Sequence, residues 1–280
     1  MTASSPDLSS PRGTRLAPAD AAIFETFVVP RYLTLFGELV LESLVESDRA
    51  RVVHLGCRTG YPDRGLAMRL PGGAIYGLDE SNAAVELARV KAATMPDMVA
   101  EYRVSEGYPT ELPDASFSHV VCIHPLAAPP ERALVVAEAA RLLAPGGQFL
   151  LALPMRGSFS EVGDLLRECA LKLDDTLLMA AVDRAMQQRP TVEALSAELE
   201  EAGLEYVDVS LRPATVTFPN GRAFLEDPIT RLLLLPEFRK NLGIDDLTKP
   251  FSYVREAIDK YWSEGEFELA VNVGCATARR

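Results

Sequence analysis

The sequence predicts an α/β fold on a mostly parallel, Rossmann-like sheet, and three observations carry that expectation. From about residue 50 to 155, short apolar runs alternate with longer amphipathic ones, the pattern of successive βαβ units. The first run, "RVVHLG" (51–56), feeds a turn with glycines at 56 and 60. The second run ends on an acid, Asp79, about 20 residues beyond that turn. The chain has 280 residues, 48% hydrophobic and 24% charged, enough for one large core with an appended segment.

Residues 1–18 are rich in Ser and Pro and read as a mobile tail with no apolar stretch of a secretory leader. Residues 19–48 form an N-terminal helical cap. Ile23, Phe24, Phe27 and Val28, then Leu33, Phe36, Val40 and Leu44, recur at helical spacing, with Pro30 dividing two helices. The core is placed at 49–211, with strands at 51–56, 74–79, 100–105, 118–124 and 148–154. Helices are expected at 62–70, 82–93 and 131–143, with Pro62 in the first turn of one and Ser81 capping another. "APGG" (144–147) reads as a helix stop and tight turn. A helix capped by Thr191 runs to Gly203, and a strand follows at 204–211. Residues 212–265 read as a helical insertion, and 266–280 hold the last strand, "FELAVNVGCATA".

A formal net charge of -12 argues against nucleic acid as partner, because phosphate contacts need clustered Lys and Arg. No apolar run approaches the roughly 18 residues needed to span a bilayer. The four cysteines, at 57, 122, 169 and 275, are scattered and read as reduced thiols of a cytoplasmic protein. Nothing has the ligand spacing of a metal site, so none is expected.

In an open parallel sheet, ligands sit at the carboxyl ends of the strands where strand order reverses. Gly56 and Gly60 let backbone approach a ligand there, and an acid at the position of Asp79 accepts from ribose hydroxyls. Nucleoside binding follows. A dehydrogenase does not, because Arg58 and Tyr61 occupy the second and third glycine positions of a dinucleotide fingerprint.

"VVHLGCRTG", "IYGLDES", "VSEGYPTELPDASFSHVV" and "AARLLAPGGQFLLALP", in that order, resemble four regions of the class I S-adenosylmethionine-dependent methyltransferases, in their small-molecule branch. The resemblance covers about 50–155 closely and the final strands more loosely. It implies a seven-stranded sheet of order 3-2-1-4-5-7-6, the last strand antiparallel, with the helical insertion lying before it. It also implies S-adenosylmethionine as cofactor and a small-molecule acceptor. The implied cofactor-binding positions are His54, Gly56, Arg58, Gly60, Asp79 (ribose) and Glu106 (adenine amine). His124, at the end of the fourth strand, is the candidate catalytic base.

Two residues depart from the family pattern. Where the family has an acid serving the methionine ammonium, this chain has His54; where it has glycine, this chain has Arg58. A histidine offers at most a neutral acceptor there, and an arginine brings a long cation into the backbone approach. Weak cofactor binding is the resulting expectation, with tighter binding after His54→Asp combined with Arg58→Gly. The alternative is a methyltransferase-fold protein without turnover, serving as a binding or regulatory module with a protein partner.

Overall fold

A computed structural model of the chain describes residues 15–95, 98–125 and 128–280. It carries a seven-stranded sheet of order β3-β2-β1-β4-β5-β7-β6. The strands are β1 (Arg51–Leu55), β2 (Ala74–Asp79), β3 (Val99–Val104), β4 (Phe117–Ile123), β5 (Leu143–Pro154), β6 (Glu205–Phe218) and β7 (Phe267–Arg279). Strands β1 to β5 pair in parallel, and β7 runs antiparallel to β5 from Gln148↔Arg279 to Pro154↔Val273. The expected order and the antiparallel last strand are both present.

The chain divides into two compact units. Arg15–Pro154, Pro190–Arg212 and Val273–Arg280 make the larger one. Its helices begin with α1 (Pro18–Ile23), a π-helical segment (Phe24–Leu33) and α2 (Thr34–Ser43) in unbroken succession. Pro30 therefore lies inside a helix instead of dividing two. A proline lacks the N–H and crowds the carbonyl one turn back, and the wider π turn accommodates both. The Pro30 carbonyl accepts from Thr34 Oγ1 at 3.0 Å.

The remaining helices of this unit are α3 (Asp63–Arg69), α4 (Asn82–Ala93), α5 (Pro129–Leu142) and α8 (Val192–Glu201). Ser81 and Thr191 cap α4 and α8 as expected. Pro62 precedes α3 instead of opening it, and the first helical position goes to Asp63, an acid where the helix N-terminus favours one. Helix α5 starts earlier than expected, on two prolines suited to a first turn, with Glu131 accepting from Ala128 N–H at 2.8 Å. Residues 144–147 form the irregular start of β5, where the register against β4 shifts between Phe117 and His119. The expected tail lies outside the described residues up to position 14, but Arg15 and Leu16 are anchored, to Glu106 and Ser81.

The smaller unit comprises, among the described residues, 155–189 and 213–272. Strand β6 runs on to Phe218, so the helical part of the insertion starts at α9 (Gly221–Glu226), beyond the expected boundary at 212. A π-helical segment (Thr230–Leu234), α10 (Leu235–Leu242) and α11 (Thr248–Tyr261) follow. Two helices the sequence reading lacks, α6 (Ser160–Lys172) and α7 (Thr176–Gln187), belong to this unit. Its core includes the rings of Phe218, Phe224, Trp262 and Phe267, and those of Phe159, Phe238 and Phe251. Arg189 lies over the Phe159 ring at 4.5 Å and pairs with Glu237 at 2.6 Å.

Candidate cofactor site

The carboxyl ends of β1, β2 and β4 meet in the larger unit. Gly56 and Gly60 both adopt positive φ, 66° and 79°, which glycine reaches without strain. A side chain at Gly56 would meet nothing within 4 Å, so the backbone there faces open space. Asp79 ends β2, and its two carboxylate oxygens accept from Ser81 N–H at 2.8 Å and Arg58 N–H at 2.9 Å. A carboxylate has about four acceptor positions, so two amides leave room for hydroxyl donors. Burial pushes the Asp79 carboxyl above its ordinary value, with the Ser81 and Arg58 amides acting in the opposite direction.

His54 points away from the role of a lone ammonium partner. Its Nδ1 lies 2.6 Å from Asp63 Oδ1, and Tyr102 donates its hydroxyl to Asp63 Oδ2 at 2.8 Å. Residues 54, 77 and 102 lie in one row across β1, β2 and β3. Gly77 is the gap in that row: a Cβ there would fall 2.2 Å from the Tyr102 ring, so only glycine lets the tyrosine cross β2 towards Asp63. Asp63 accepts on both oxygens, so Nδ1 carries the proton in this contact. His54 Nε2 is left buried and without a partner in the protein.

Arg58 adopts φ 47°, the left-handed region, which L residues enter at a cost of about 1–2 kcal/mol. Its side chain turns inward. Nη2 donates to the His124 carbonyl at 2.9 Å, and the guanidinium lies 5.2 Å from the centre of the Phe24 ring. Its contact with Asp79 is made by the backbone amide and not by the guanidinium. Burial pushes the guanidinium down from its ordinary value while the Asp79 charge acts against that. Nη1 is buried and has no partner, and neither has Thr59 Oγ1. His54, Arg58 and Thr59 line one small pocket with Gly56, Tyr61 and Phe24.

The other expected site residues are more distant in character. Glu106 is exposed and pairs with Arg15 at 2.6 Å. His124 follows β4 at φ 50°, so the alternation of strand faces does not extend to it. It is fully buried, its Nε2 lies 2.8 Å from Tyr32 Oη, and Tyr32 and Phe36 meet its ring edge-on. In this arrangement it fixes the N-terminal helices to the end of β4. His119 does comparable work with Val45, whose carbonyl lies 2.9 Å from Nε2. Asp63, Thr59, Tyr102 and Tyr32 were not singled out from the sequence. The acid in the first turn of α3 and the glycine in the middle of β2 are the signals that could have pointed to the first and third.

The sheet order with its antiparallel last strand is that of the α/β methyltransferase fold. A methyltransferase-domain family model matches residues 53–151. A methyltransferase named GfsG, from Streptomyces halstedii, is 28% identical over 198 residues, 68% of this chain and 66% of its own. A ubiquinone biosynthesis O-methyltransferase from Alkalilimnicola ehrlichii is 30% identical over 115 residues, 41% of this chain and 46% of its own. The matches thus span less than two thirds of either relative. In fold, the YcgJ protein of Bacillus subtilis matches with TM-score 0.58 at 13% identity, over 88% of this chain and 98% of that one. The [4+2]-cyclase SpnF matches with TM-score 0.52 at 16% identity, over 87% and 79%. Residues 53–151 thus match a methyltransferase domain, and both of these relatives are named as methyltransferases. Among the described residues no helix is long and apolar enough to cross a membrane.

Proposed function

We propose that the chain binds S-adenosylmethionine at the carboxyl ends of β1, β2 and β4 and methylates a small-molecule acceptor. The observation that carries this reading is the Asp79 carboxylate, fixed by two amides with acceptor positions to spare, beside the open backbone of Gly56. Asp79 would take the ribose hydroxyls, and Glu106 the adenine amine once it leaves Arg15. When bound, the cofactor supplies a methyl carbon activated by the adjoining sulfonium. The chain's own residues then hold and orient the reactants, which is the main demand of an in-line displacement. The name of one relative, a ubiquinone biosynthesis O-methyltransferase, supports a small-molecule acceptor and an oxygen as the atom methylated. His124 as a base would require the Tyr32 contact to open first.

A second reading, a binding module without turnover, draws on one observation: the Arg58 side chain lies across the site to the His124 carbonyl. SpnF shares the fold under the name of a different activity, so fold does not choose between them. Incubation with S-adenosylmethionine and a panel of phenol and alcohol acceptors separates the two. The proposal expects S-adenosylhomocysteine to form, and Asp79→Ala to slow its formation about tenfold or more at subsaturating cofactor. Cofactor binding without product across acceptor classes favours the module.

A further inference from the structure

One stretch of the smaller unit is apolar where the fold makes no use of it. All seven residues from Leu171 to Leu177 are exposed, at the turn that joins α6 to α7. Three of them are leucines: Leu171 is 72% exposed, Leu173 41% and Leu177 83%. Among the described residues, no other stretch of seven carries three exposed large apolar side chains. The Asp175 N–H donates to the Ala170 carbonyl at 2.9 Å, so the turn is tight and the leucines share one tip. The two helices bury other residues, Val162, Leu165 and Leu166 from α6 and Leu178 and Val182 from α7. Leucine favours helices, but that does not account for Leu173, which follows α6 outside it. An exposed apolar patch with a polar rim marks an interaction surface.

The rim is ordered and charged. Lys172 pairs with Glu168 at 2.9 Å and donates to the Tyr253 hydroxyl at 2.6 Å. The Tyr261 hydroxyl donates to Glu168 at 2.6 Å. Side chains already held in place lose less freedom when a partner arrives. Two exposed charges of opposite sign stand beside them: Asp174 in the turn, and Lys249 in the first turn of α11, which packs on α6. Neither has an ion-pair partner among the described residues. Lys249, Lys172 and Asp175 all act on the Cys169 thiol, so the three surround the end of α6.

The charge pattern selects the occupant. At a formal net charge of -12, two copies of the chain repel one another overall. At this tip both signs flank an apolar ridge. In a two-fold contact the same patch serves both copies, so each acid faces the other copy's lysine. A nucleic acid or an anionic membrane calls for clustered cations instead. We infer that the α6–α7 tip is a self-association surface. A second copy of this chain docks on Leu171, Leu173 and Leu177, with Asp174 of each copy opposite Lys249 of the other. The patch is small, and the dimer is correspondingly weak and concentration-dependent. The inference stands apart from the proposed function, because it uses no residue of the cofactor site.

Sedimentation velocity of the full chain, from about 10 µM to 1 mM, tests the surface. The unmodified chain should shift from monomer towards dimer across that range. Leu177→Glu should stay monomeric throughout, and its melting temperature should be unchanged because the side chain is exposed. Asp174→Lys and Lys249→Glu should each weaken self-association by about tenfold or more, since like charges then face across the contact. Mixed in equal amounts, these two variants should associate with each other, and the chain carrying both changes should dimerise like the unmodified one. Melting temperatures of all variants separate a lost contact from a lost fold. A chain that stays monomeric at every concentration would overturn the inference. So would a dimer that Leu177→Glu leaves intact, or one indifferent to both charge reversals.

Discussion

The two halves of the candidate site differ in how far the protein satisfies its own polar groups. On the nucleoside half, Asp79 is held by two amides and Glu106 by Arg15. On the loop half, His54, Arg58 and Thr59 each keep a buried polar atom unpaired. A ligand on the first half adds to, or trades against, bonds that already exist. On the second it meets groups that were desolvated during folding and gains nearly the whole bond. The altered loop is therefore the half from which discrimination is expected, although its sequence reads as damage.

The sharpest way to break this contrast is to remove the support of the loop half. Asp63→Ala would strand His54 Nδ1 and the Tyr102 hydroxyl, both buried. Leaving a buried donor unpaired costs about 1–3 kcal/mol, so with two such donors urea denaturation should show a loss of several kcal/mol. Asp63→Asn should lose less, since its amide oxygen still accepts from one partner.

Next in size is Asp79→Ala, which removes the acceptor of the nucleoside half. Affinity for 5′-methylthioadenosine, which carries the ribose but not the head group, should fall by about tenfold or more, equivalent to roughly 1.5–3 kcal/mol. Unchanged affinity would place the ribose elsewhere.

A pH series sharpens the same position. Burial raises the Asp79 carboxyl above its ordinary 3.8, so the native state keeps its proton to higher pH than the unfolded chain does. That group accordingly favours folding at acid pH and loses this contribution as pH rises from about 3.8 through the raised native value. The stability of Asp79→Asn relative to the unmodified chain should therefore rise over that window, measured by thermal unfolding at pH 4 to 7. A difference constant with pH would contradict the assignment.

The smallest effect is expected at the surface. Arg15 and Glu106 are more than half exposed, and such pairs contribute about 0–1 kcal/mol. Arg15→Ala should leave the melting temperature nearly unchanged. It should also leave 5′-methylthioadenosine affinity the same or modestly higher, because Glu106 is released.

Much of the fold was legible because its signals are local. Strands β1, β2 and β4, the caps Ser81 and Thr191 and the antiparallel last strand follow from short patterns and the family's strand order. The misses have physical causes. Pro30 is a helix breaker by local rule, and only packing reveals the π turn that absorbs it. Pro213 looks like a strand end, yet β6 passes through it. Helix α6 carries its own periodicity at Val162, Leu165, Leu166 and Cys169, but an expectation of one helix between successive strands hid it. The positive-φ turns at Gly56 and Gly60 and the place of Asp79 at the end of β2 were legible because spacing fixes them. The His54–Asp63–Tyr102 chain was not, because it joins a strand, a helix and a third strand across the gap at Gly77. The direction of Arg58 was equally hidden, since its partner is a backbone carbonyl that no sequence pattern marks. The double change His54→Asp with Arg58→Gly consequently takes on the opposite expectation. It would set a second carboxylate beside Asp63 and delete the cation that faces the pocket.

The central claim is that this rewired loop still accepts the family's cofactor, and titration calorimetry of the unmodified chain with S-adenosylmethionine tests it most directly. A single site with a dissociation constant in the micromolar range, about -8 kcal/mol, is the predicted result. No measurable heat, together with a melting temperature unmoved by millimolar S-adenosylmethionine, would contradict it.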